Sequence, residues 1–356
     1  MTLSVVQKRK WKTAFQITIS SILIGLTYPL IADGINELLP FLNGFFISLI
    51  GGLLISLLEL EIFNTLTKRF TFIQSLIIKT TTYFLIFLSI IPTVILFIES
   101  IYLDRGIIEH FNSQQFQNFL YYEDFDVILF YALIFIGLII FTRQISKKLG
   151  QGVLFSYISG RYHRPKEVER IFMYLDLRGS TPIAEKLGGV DFHHFMHDFY
   201  GDITESILAV KGSIYDYIGD KLIVAWDMQK GIENCNCILA YFNVKHKIFK
   251  IREKYINKYG IVPRFSASFH CGEVIIGELG DIKSQIIYQG EVLYQTAAIE
   301  KLFGKYAPEE DILISEPLVQ KLKLPKLYSA EFITKIDDLS EGTIPVYTLI
   351  ENKAIA

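Results

Sequence analysis

The distribution of apolar residues divides the chain into two parts. Residues 1–142 carry long apolar segments, whereas residues 169–352 alternate short apolar runs with polar stretches. A helix needs about 20 apolar residues to cross a lipid bilayer. Four segments approach or exceed this length, at about 13–32, 41–63, 72–98 and 126–142. The pattern predicts an all-α transmembrane domain of four helices over 1–142, a linker over 143–168 and a folded domain over 169–352.

Positively charged residues lie mainly at one end of the predicted spans, and the opposite end has only Arg105. Because lysine and arginine are enriched in cytoplasmic loops, the N-terminus and residues 143–356 are predicted to be cytoplasmic, in a multi-pass protein of the cell (inner) membrane. The first span is longer than a signal-peptide core, which indicates an anchor. A buried all-helical soluble domain would leave the charge asymmetry unexplained. The basic residues are Lys8, Arg9, Lys10, Lys12, Lys68, Arg69, Arg143, Lys147 and Lys148.

Three ionisable residues, Glu59, Glu61 and Lys79, fall toward the predicted cytoplasmic ends of the second and third spans. Charged groups are costly inside a bilayer. We expect Lys79 either to reach the interface or to pair with one of the glutamates, unless the spans end one turn earlier. The aromatic and acidic loop at 99–125 is long enough to form a small external cap or a ligand surface.

The second part of the chain alternates strand and helix patterns. The run IFMYLD at 171–176 predicts a strand, and Pro182 is expected in the first turn of a helix, with Ser180 and Thr181 as possible caps. Two strands joined at Gly219-Asp220 give a hairpin signal. The interleaving predicts an α+β domain with a mostly antiparallel sheet covered by helices. Further helices are predicted at 191–210, 232–258 and 291–305, and further strands within 263–280, with a turn at Cys271-Gly272, and at 285–290, 311–315, 327–335 and 345–350.

Composition narrows the function. A net charge of −2 without a basic stripe argues against a nucleic-acid partner. The sparse cysteines, Cys235, Cys237 and Cys271, fit a reducing compartment without a disulfide framework. Histidines 193, 194 and 197 are interpreted as a polar helix face, and His270 as a core residue whose ring nitrogens are satisfied.

Two aspartates carry the candidate chemistry. Asp176 ends the first strand of the second part, and Asp220 lies in the hairpin turn. The LRGST segment after Asp176 opens a helix, where backbone N–H groups favour anions. Carboxylates beside such a helix start could hold one or two Mg²⁺ ions and a nucleoside triphosphate. In the alternative interpretation, Asp176 only caps a helix and Asp220 only forms a turn.

Several motifs in order resemble the class III adenylyl/guanylyl cyclase domain. They are IFMYLDLRGST, IYDYIGDKLIVAW, RFSASFHCGEVIIGELGDIK and QIIYQGEVLYQTAAIEKL, preceded by GRYHRPKEVERIF. The resemblance covers about residues 160–325 and is greatest to the bacterial membrane-anchored branch. It implies a ferredoxin-like core and head-to-tail dimers that share each active site across the interface.

The same resemblance implies roles for residues of the metal half. Asp176 and Asp220, with the backbone of Leu177, would hold two ions, Mg²⁺ or Mn²⁺. The products would be a 3′,5′-cyclic nucleotide and pyrophosphate. The segment expected to bind the nucleotide consists of Leu177, Arg178, Gly179, Ser180 and Thr181.

The other half of the family's site departs from the pattern. Tyr294 stands where the family has an asparagine, and Ala298 where it has the arginine that binds the transition-state phosphate. The base-reading positions hold Asp216 and Ile287, so the base stays open and no catalytic residue is assigned here. Two hypotheses follow. The chain is a cyclase, as a homodimer or as the metal-bearing subunit of a heterodimer with another cyclase chain, or it is an inactive pseudocyclase that binds nucleotide or dimerises.

Overall fold

A computed structural model gives the fold. It describes residues 5–32, 34, 37–66, 70–122, 124–150, 152–304, 311–325, 328–338 and 342–351. The chain divides into two compact units, residues 1–148 and residues 149–356.

The first unit is helical, and four of its helices are long and apolar enough to cross a membrane by length and composition. This confirms the all-α four-helix prediction. Lys68 and Arg69, two of the basic residues from which the orientation of the spans is predicted, lie outside the described residues. The loop expected at 99–125 contains two short helices. The α-helices of five residues or more are α1 Val5–Ala32, α2 Leu38–Leu57, α3 Phe72–Tyr102, α4 Ile107–Phe111, α5 Gln114–Tyr121 and α6 Phe125–Leu149.

Small residues allow α1 and α2 to pack closely. A Cβ atom added at Gly44 would lie 2.6 Å from the carbonyl oxygen of Gly25, and one added at Gly25 would lie 2.4 Å from the Cβ of Ser48. Close approach of backbones through small residues is a common way for membrane helices to associate. The glycines therefore set the distance between these two helices.

The expected pairing of Lys79 is confirmed. Its ammonium lies 2.8 Å from Glu59, and both side chains are more than nine-tenths buried. The Tyr83 hydroxyl donates to the same carboxylate at 3.2 Å. Glu59 lies in a π-helical turn, Leu58–Ile62, that continues α2. Glu61 instead pairs with Lys10 at 2.7 Å, where both side chains are exposed.

The second unit is an α+β domain, as predicted. Its helices are α7 Val153–Ile158, α8 Ser180–Leu187, α9 Gly189–Ala209, α10 Met228–Ile232, α11 Asn236–Lys250, α12 Arg252–Tyr259, α13 Glu291–Lys301 and α14 Glu316–Lys321. Its strands are β1 Lys166–Leu177, β2 Ser213–Ile218, β3 Lys221–Asp227, β4 Phe265–Leu279, β5 Gln285–Gln289, β6 Ile312–Ser315, β7 Tyr328–Asp338 and β8 Gly342–Glu351.

The sheet has the order β2-β3-β1-β4-β6-β8-β7, with β5 paired to β4. Neighbouring strands are antiparallel, except for β4 and β6, which are parallel. The β2-β3-β1-β4 part, with its crossing helices, is the ferredoxin-like core. The side chains of β1 alternate between two hydrophobic cores, one on each face of the sheet. Ile171, Met173 and Leu175 pack in the larger core, which includes side chains of α9 and α11. Phe172 and Tyr174 pack on the other face with Val292 of α13.

Two of the sequence-based element predictions are wrong. Most of the 263–280 segment forms one continuous strand, β4 (Phe265–Leu279), without a turn at Cys271-Gly272. Gly272 serves packing instead, because a Cβ atom there would lie 2.6 Å from the Val292 side chain of α13. The long helix expected over 232–258 is two helices, α11 and α12, that meet near Ile251.

Candidate active site

Asp176 and Asp220 lie at one edge of the sheet. Asp176 is the penultimate residue of β1 and is paired in register with Lys221, the residue after Asp220. The backbone N–H of Leu177 donates to the carbonyl oxygen of Asp220 at 3.3 Å. Gly219 has φ +63°, a conformation that a residue with a side chain rarely adopts, and so it permits the tight turn that holds Asp220. Strand pairing therefore brings together two residues that are 44 positions apart in the sequence.

The electrostatics of this edge are those of crowded carboxylates. Burial raises the pKa of Asp176 to about 6, with further contributions from the charges of Asp220 and Glu300, while Lys221 opposes the rise. Burial also raises the pKa of Glu300, and its ion pair with Lys221, at 2.5 Å, opposes that rise. A carboxylate whose ionised form is disfavoured by neighbouring acids gains from a cation. The edge is suited to binding positive charge.

The LRGST segment turns from β1 into α8. Gly179, at φ +69°, precedes the first helical residue, Ser180. Ser180 and Thr181 are thus inside the helix, and the expectation that they cap it is wrong. First-turn N–H groups have no acceptor within their own helix, so those of Ser180 and Thr181 can face an anion. Pro182 is the third helical residue and has no N–H to offer.

Arg178 and Leu177 are engaged elsewhere. The Leu177 side chain is buried. The Arg178 backbone N–H donates to the carbonyl of Arg264 at 2.8 Å. The Arg178 guanidinium lies over the Phe303 ring at 5.5 Å and 3.7 Å from the carboxylate of Asp311. These contacts orient the Arg178 side chain toward the start of β6. A guanidinium held in this way is less able to bind phosphate.

The donor set fits a hard divalent cation. Mg²⁺ usually takes one or two protein carboxylates and completes its shell with water and substrate phosphate oxygens. Asp176 and Asp220 supply two such carboxylates. Within the described ranges, no group of three or more His, Cys, Asp or Glu side chains could hold a metal ion. The histidines at 193, 194 and 197 are exposed. The residues present therefore match a Mg²⁺ or Mn²⁺ site that nucleotide oxygens would complete.

The four substituted positions lie on three elements, α13, β2 and β5. Tyr294, on α13, is 72% exposed. Ala298, one turn later, packs against a small apolar cluster with Ile299 and Leu302. Asp216, on β2, is exposed, and its carboxylate accepts from the Tyr217 N–H at 2.8 Å. Ile287 lies half-buried on β5 opposite Gly277.

Three residues near the aspartates were missed by sequence reasoning. The Lys221 ammonium, paired with Glu300, also lies 5.3 Å from the centre of the Tyr174 ring. The Tyr200 hydroxyl donates to the Gly219 carbonyl at 3.5 Å, and burial with the nearby charges of Asp220 and Asp176 raises the pKa of Tyr200. The adjacency of Lys221 to Asp220 was a readable signal. The approach of Glu300 and Tyr200 required the fold.

The prediction that His270 is a core residue is confirmed. The His270 ring is buried, with Nδ1 2.7 Å from Ser315 Oγ and Nε2 2.7 Å from Gln295 Oε1. The three cysteines are buried and free. Burial raises the pKa values of Cys237 and Cys271, which makes their thiols poor metal ligands.

Comparison with known proteins identifies the domain. The chain is 32% identical over 204 residues to "Adenylate cyclase 2" of Rhizobium meliloti (strain 1021), a match that covers 57% of this chain and 56% of that protein. It is 28% identical over 170 residues to an adenylate cyclase of Anabaena cylindrica, covering 46% and 32% of the two chains. The chain thus spans about half, or less, of the length of these relatives. No protein-family model matches it.

Solved structures agree on the fold. A bacterial light-regulated adenylyl cyclase superposes with a TM-score of 0.52 at 16% identity, covering 61% of this chain and 63% of the other. A second structure of that description has a TM-score of 0.51. Together with the curated relatives, they confirm the resemblance carried by the motifs. The second unit is therefore similar in sequence to adenylate cyclases and has the fold of adenylyl cyclase domains, and the four apolar helices fit the membrane-anchored branch of class III cyclases.

Proposed function

We propose that this protein is a membrane-anchored nucleotide cyclase subunit for intracellular signalling. It would convert a nucleoside triphosphate to a 3′,5′-cyclic nucleotide and pyrophosphate. The observation that carries the proposal is the meeting of Asp176 and Asp220 at one sheet edge beside the start of α8. The relatives are named adenylate cyclases, which makes ATP the first nucleotide to test.

The chain's own residues would act as follows. Asp176 and Asp220 would hold the divalent cations, and the N–H groups of Ser180 and Thr181 would contact phosphate oxygens. Two bound ions, Mg²⁺ or Mn²⁺, would supply charge neutralisation and a lowered pKa for the ribose 3′-hydroxyl. The 3′-oxygen forms a bond to the α-phosphorus as the bond to the β-phosphate oxygen breaks. Pyrophosphate leaves with the electron pair, and the hydroxyl proton passes to solvent.

The complementary half of the site would come from a second chain. In the family resemblance, that half supplies an asparagine and an arginine, and here the positions hold Tyr294 and Ala298. The one-sided loss favours a heterodimer with another cyclase chain over a homodimer. The positive flanks of the apolar helices favour a cytoplasmic location for the N-terminus and the cyclase domain, in the cell (inner) membrane.

Complementation tests the heterodimer. The full chain is co-expressed with a cyclase from the same genome that has the asparagine and the arginine. In that partner the two metal aspartates are changed to asparagine, so that neither protein has a complete site alone. We expect cyclic nucleotide to appear only when both are present. The control is the same pair with Asp176→Asn in this chain, which should remove the signal. Absence of product with every intact partner of that genome would contradict the proposal.

A pseudocyclase is the second candidate, and Ala298 and Asp216 favour it. Alanine cannot stabilise charge on a phosphoryl group, and loss of one such group costs about 10²–10³ in rate. Asp216 adds a negative charge where the family has a base-reading residue. Mass spectrometry of products from the purified chain, with Mn²⁺ and each of four nucleoside triphosphates, separates the candidates. Robust turnover by the chain alone would exclude the pseudocyclase.

Metal-dependent nucleotide binding should depend on both aspartates under either candidate. Asp176→Asn combined with Asp220→Asn is expected to weaken binding of a non-cyclisable ATP analogue with Mn²⁺ by about 10- to 100-fold, because hydrogen bonds and contacts of charged groups contribute about 1.5–3 kcal/mol. Isothermal titration calorimetry of the full chain gives the measurement. Asp191→Asn, an exposed aspartate in the first turn of α9, is the matched control. Equal affinity in the double variant would mean that the carboxylates only shape the turn.

A further inference from the structure

The first unit contains a cavity of about 320 Å³ among its described residues. Small-molecule sites begin at about 300 Å³. The cavity lies toward the end of the unit where α4 and α5 lie, which the charge pattern predicts to be external. It is lined in part by Tyr28, Asn43, Glu99 and Tyr131.

The charge of the lining has one sign. Glu37, Glu99 and Asp124 contribute carboxylates, and no lysine or arginine occurs among the described residues that line the cavity. Glu37 and Asp124 are exposed, whereas the Glu99 side chain is only 15% exposed. Buried charge is screened less by solvent than exposed charge. A cation in this cavity is therefore favoured over an anion.

Glu99 is held in place from two sides. His110, whose side chain is fully buried, places Nε2 3.0 Å from one carboxylate oxygen. The Asn43 amide donates to the other oxygen at 3.2 Å. The second nitrogen of His110 lies 3.5 Å from the Ser113 hydroxyl. These contacts join α2, α3 and α4 around one carboxylate, which fixes its direction, and Ser113, the residue before α5, supports His110.

Asn43 leaves an acceptor without a donor. Its Oδ1 atom is buried, and no hydrogen-bond partner lies within reach among the described residues. Because its amide nitrogen is committed to Glu99, the orientation of the Asn43 side chain is set by that bond. An unsatisfied buried acceptor costs about 1–3 kcal/mol. A ligand that brings an N–H donor to this point would remove the cost.

The remainder of the lining is apolar and aromatic. Ile47, Phe87, Phe119 and Phe135 contribute apolar side chains. The rings of Tyr28 and Tyr131 lie 5.4 Å apart, and aromatic faces attract cations. The site thus combines an acidic, acceptor-rich part with an apolar part.

From this geometry we propose that the first unit is a receptor for a small organic ammonium ion. The ligand carries at least one N–H donor beside an apolar or aromatic body. Its ammonium group lies against Glu99 and Asn43, and its body lies among the apolar side chains. The proposal does not depend on the chemistry proposed for the cyclase domain, because binding is measured without turnover.

The experiment uses the full chain in lipid nanodiscs and 2-phenylethylammonium as the probe. Isothermal titration calorimetry is expected to show saturable binding with one site per chain. 2-Phenylethanol is a neutral donor of similar shape, and it should bind at least about 10-fold more weakly, because a charged hydrogen bond is stronger than a neutral one. 3-Phenylpropionate carries a negative charge and should not bind. Equal binding of the three probes, or no saturable binding of the ammonium, would overturn the proposal. Equal binding would instead indicate a cavity that takes lipid acyl chains.

Two variants locate the site. Glu99→Gln should weaken binding of the ammonium by about 10-fold or more, whereas Glu109→Gln, an exposed acid on α4, should leave it unchanged. Asn43→Leu removes the unsatisfied acceptor at similar size, together with the amide donor to Glu99, and it should weaken binding of the ammonium about 10-fold. If Glu99→Gln fails to fold, Asn43→Leu decides the outcome. Unchanged affinity in a folded Asn43→Leu variant would place the ligand elsewhere and overturn the assignment.

Discussion

The double variant Tyr294→Asn, Ala298→Arg is expected to raise the cyclase activity of the purified chain by about 10²-fold or more, since a preorganised donor at a developing charge contributes about that factor. In the cyclase family that this chain resembles, these two positions complete the active site of the opposite subunit. A homodimer of the variant would then have both halves. Product formation is measured by mass spectrometry with Mn²⁺ and ATP.

The surroundings of both positions support this substitution. Tyr294 is 72% exposed, so asparagine is accommodated without repacking. Ala298 lies at the border of the apolar cluster, half-buried, and the long arginine stem can pass over that cluster toward solvent. The folded state should therefore survive both changes.

The matched control separates charge from shape. Tyr294→Asn combined with Ala298→Leu keeps the asparagine and adds an uncharged side chain, and it should show no gain. A folded Asn/Arg variant that binds Mn²⁺ and nucleotide but produces no cyclic product would contradict the idea that only the transition-state half is missing. The remaining difference would then rest with Asp216 and Ile287.

Lys79→Leu is expected to destabilise the first unit by about 3–5 kcal/mol, because removing one partner of a buried ion pair leaves an uncompensated charge. Glu59 would remain more than nine-tenths buried without its cation, and the Tyr83 hydroxyl would be its remaining hydrogen-bond donor among the described residues. Unfolding of the full chain in detergent, followed by intrinsic fluorescence or thermal shift, gives the measurement.

The chain offers both a rescue and a control. Glu59→Leu added to Lys79→Leu should restore most of the stability, since an apolar pair of similar volume often replaces a buried ion pair without loss. Lys10→Leu breaks the exposed pair with Glu61 and should cost about 1 kcal/mol or less. If Lys79→Leu and Lys10→Leu are equally mild, the buried pair does not contribute as its geometry indicates.

The strand β4 shows where sequence reasoning failed and why. A Cys-Gly pair in an apolar run is a reasonable turn signal, and local propensity cannot distinguish it from a glycine needed for packing. Gly272 is needed because α13 approaches the strand there, with Val292 where a side chain would lie. The packing partner is 20 residues away in sequence, so no local pattern reveals it. The division of residues 232–258 into two helices had no strong local signal either.

The sequence by itself determined the parts that depend on local chemistry. The four apolar helices follow from length and hydropathy, and the α+β class follows from alternating periodicity. Asp176 and Asp220 were readable because each ends or interrupts a strand in a short pattern. Tertiary structure alone decided which distant groups meet. Glu300 reaches Lys221 from 79 positions away, and Asn43 reaches Glu99 from 56. Such contacts depend on how whole helices pack on the sheet or on each other, and that arrangement is set by many small packing energies that no single segment encodes.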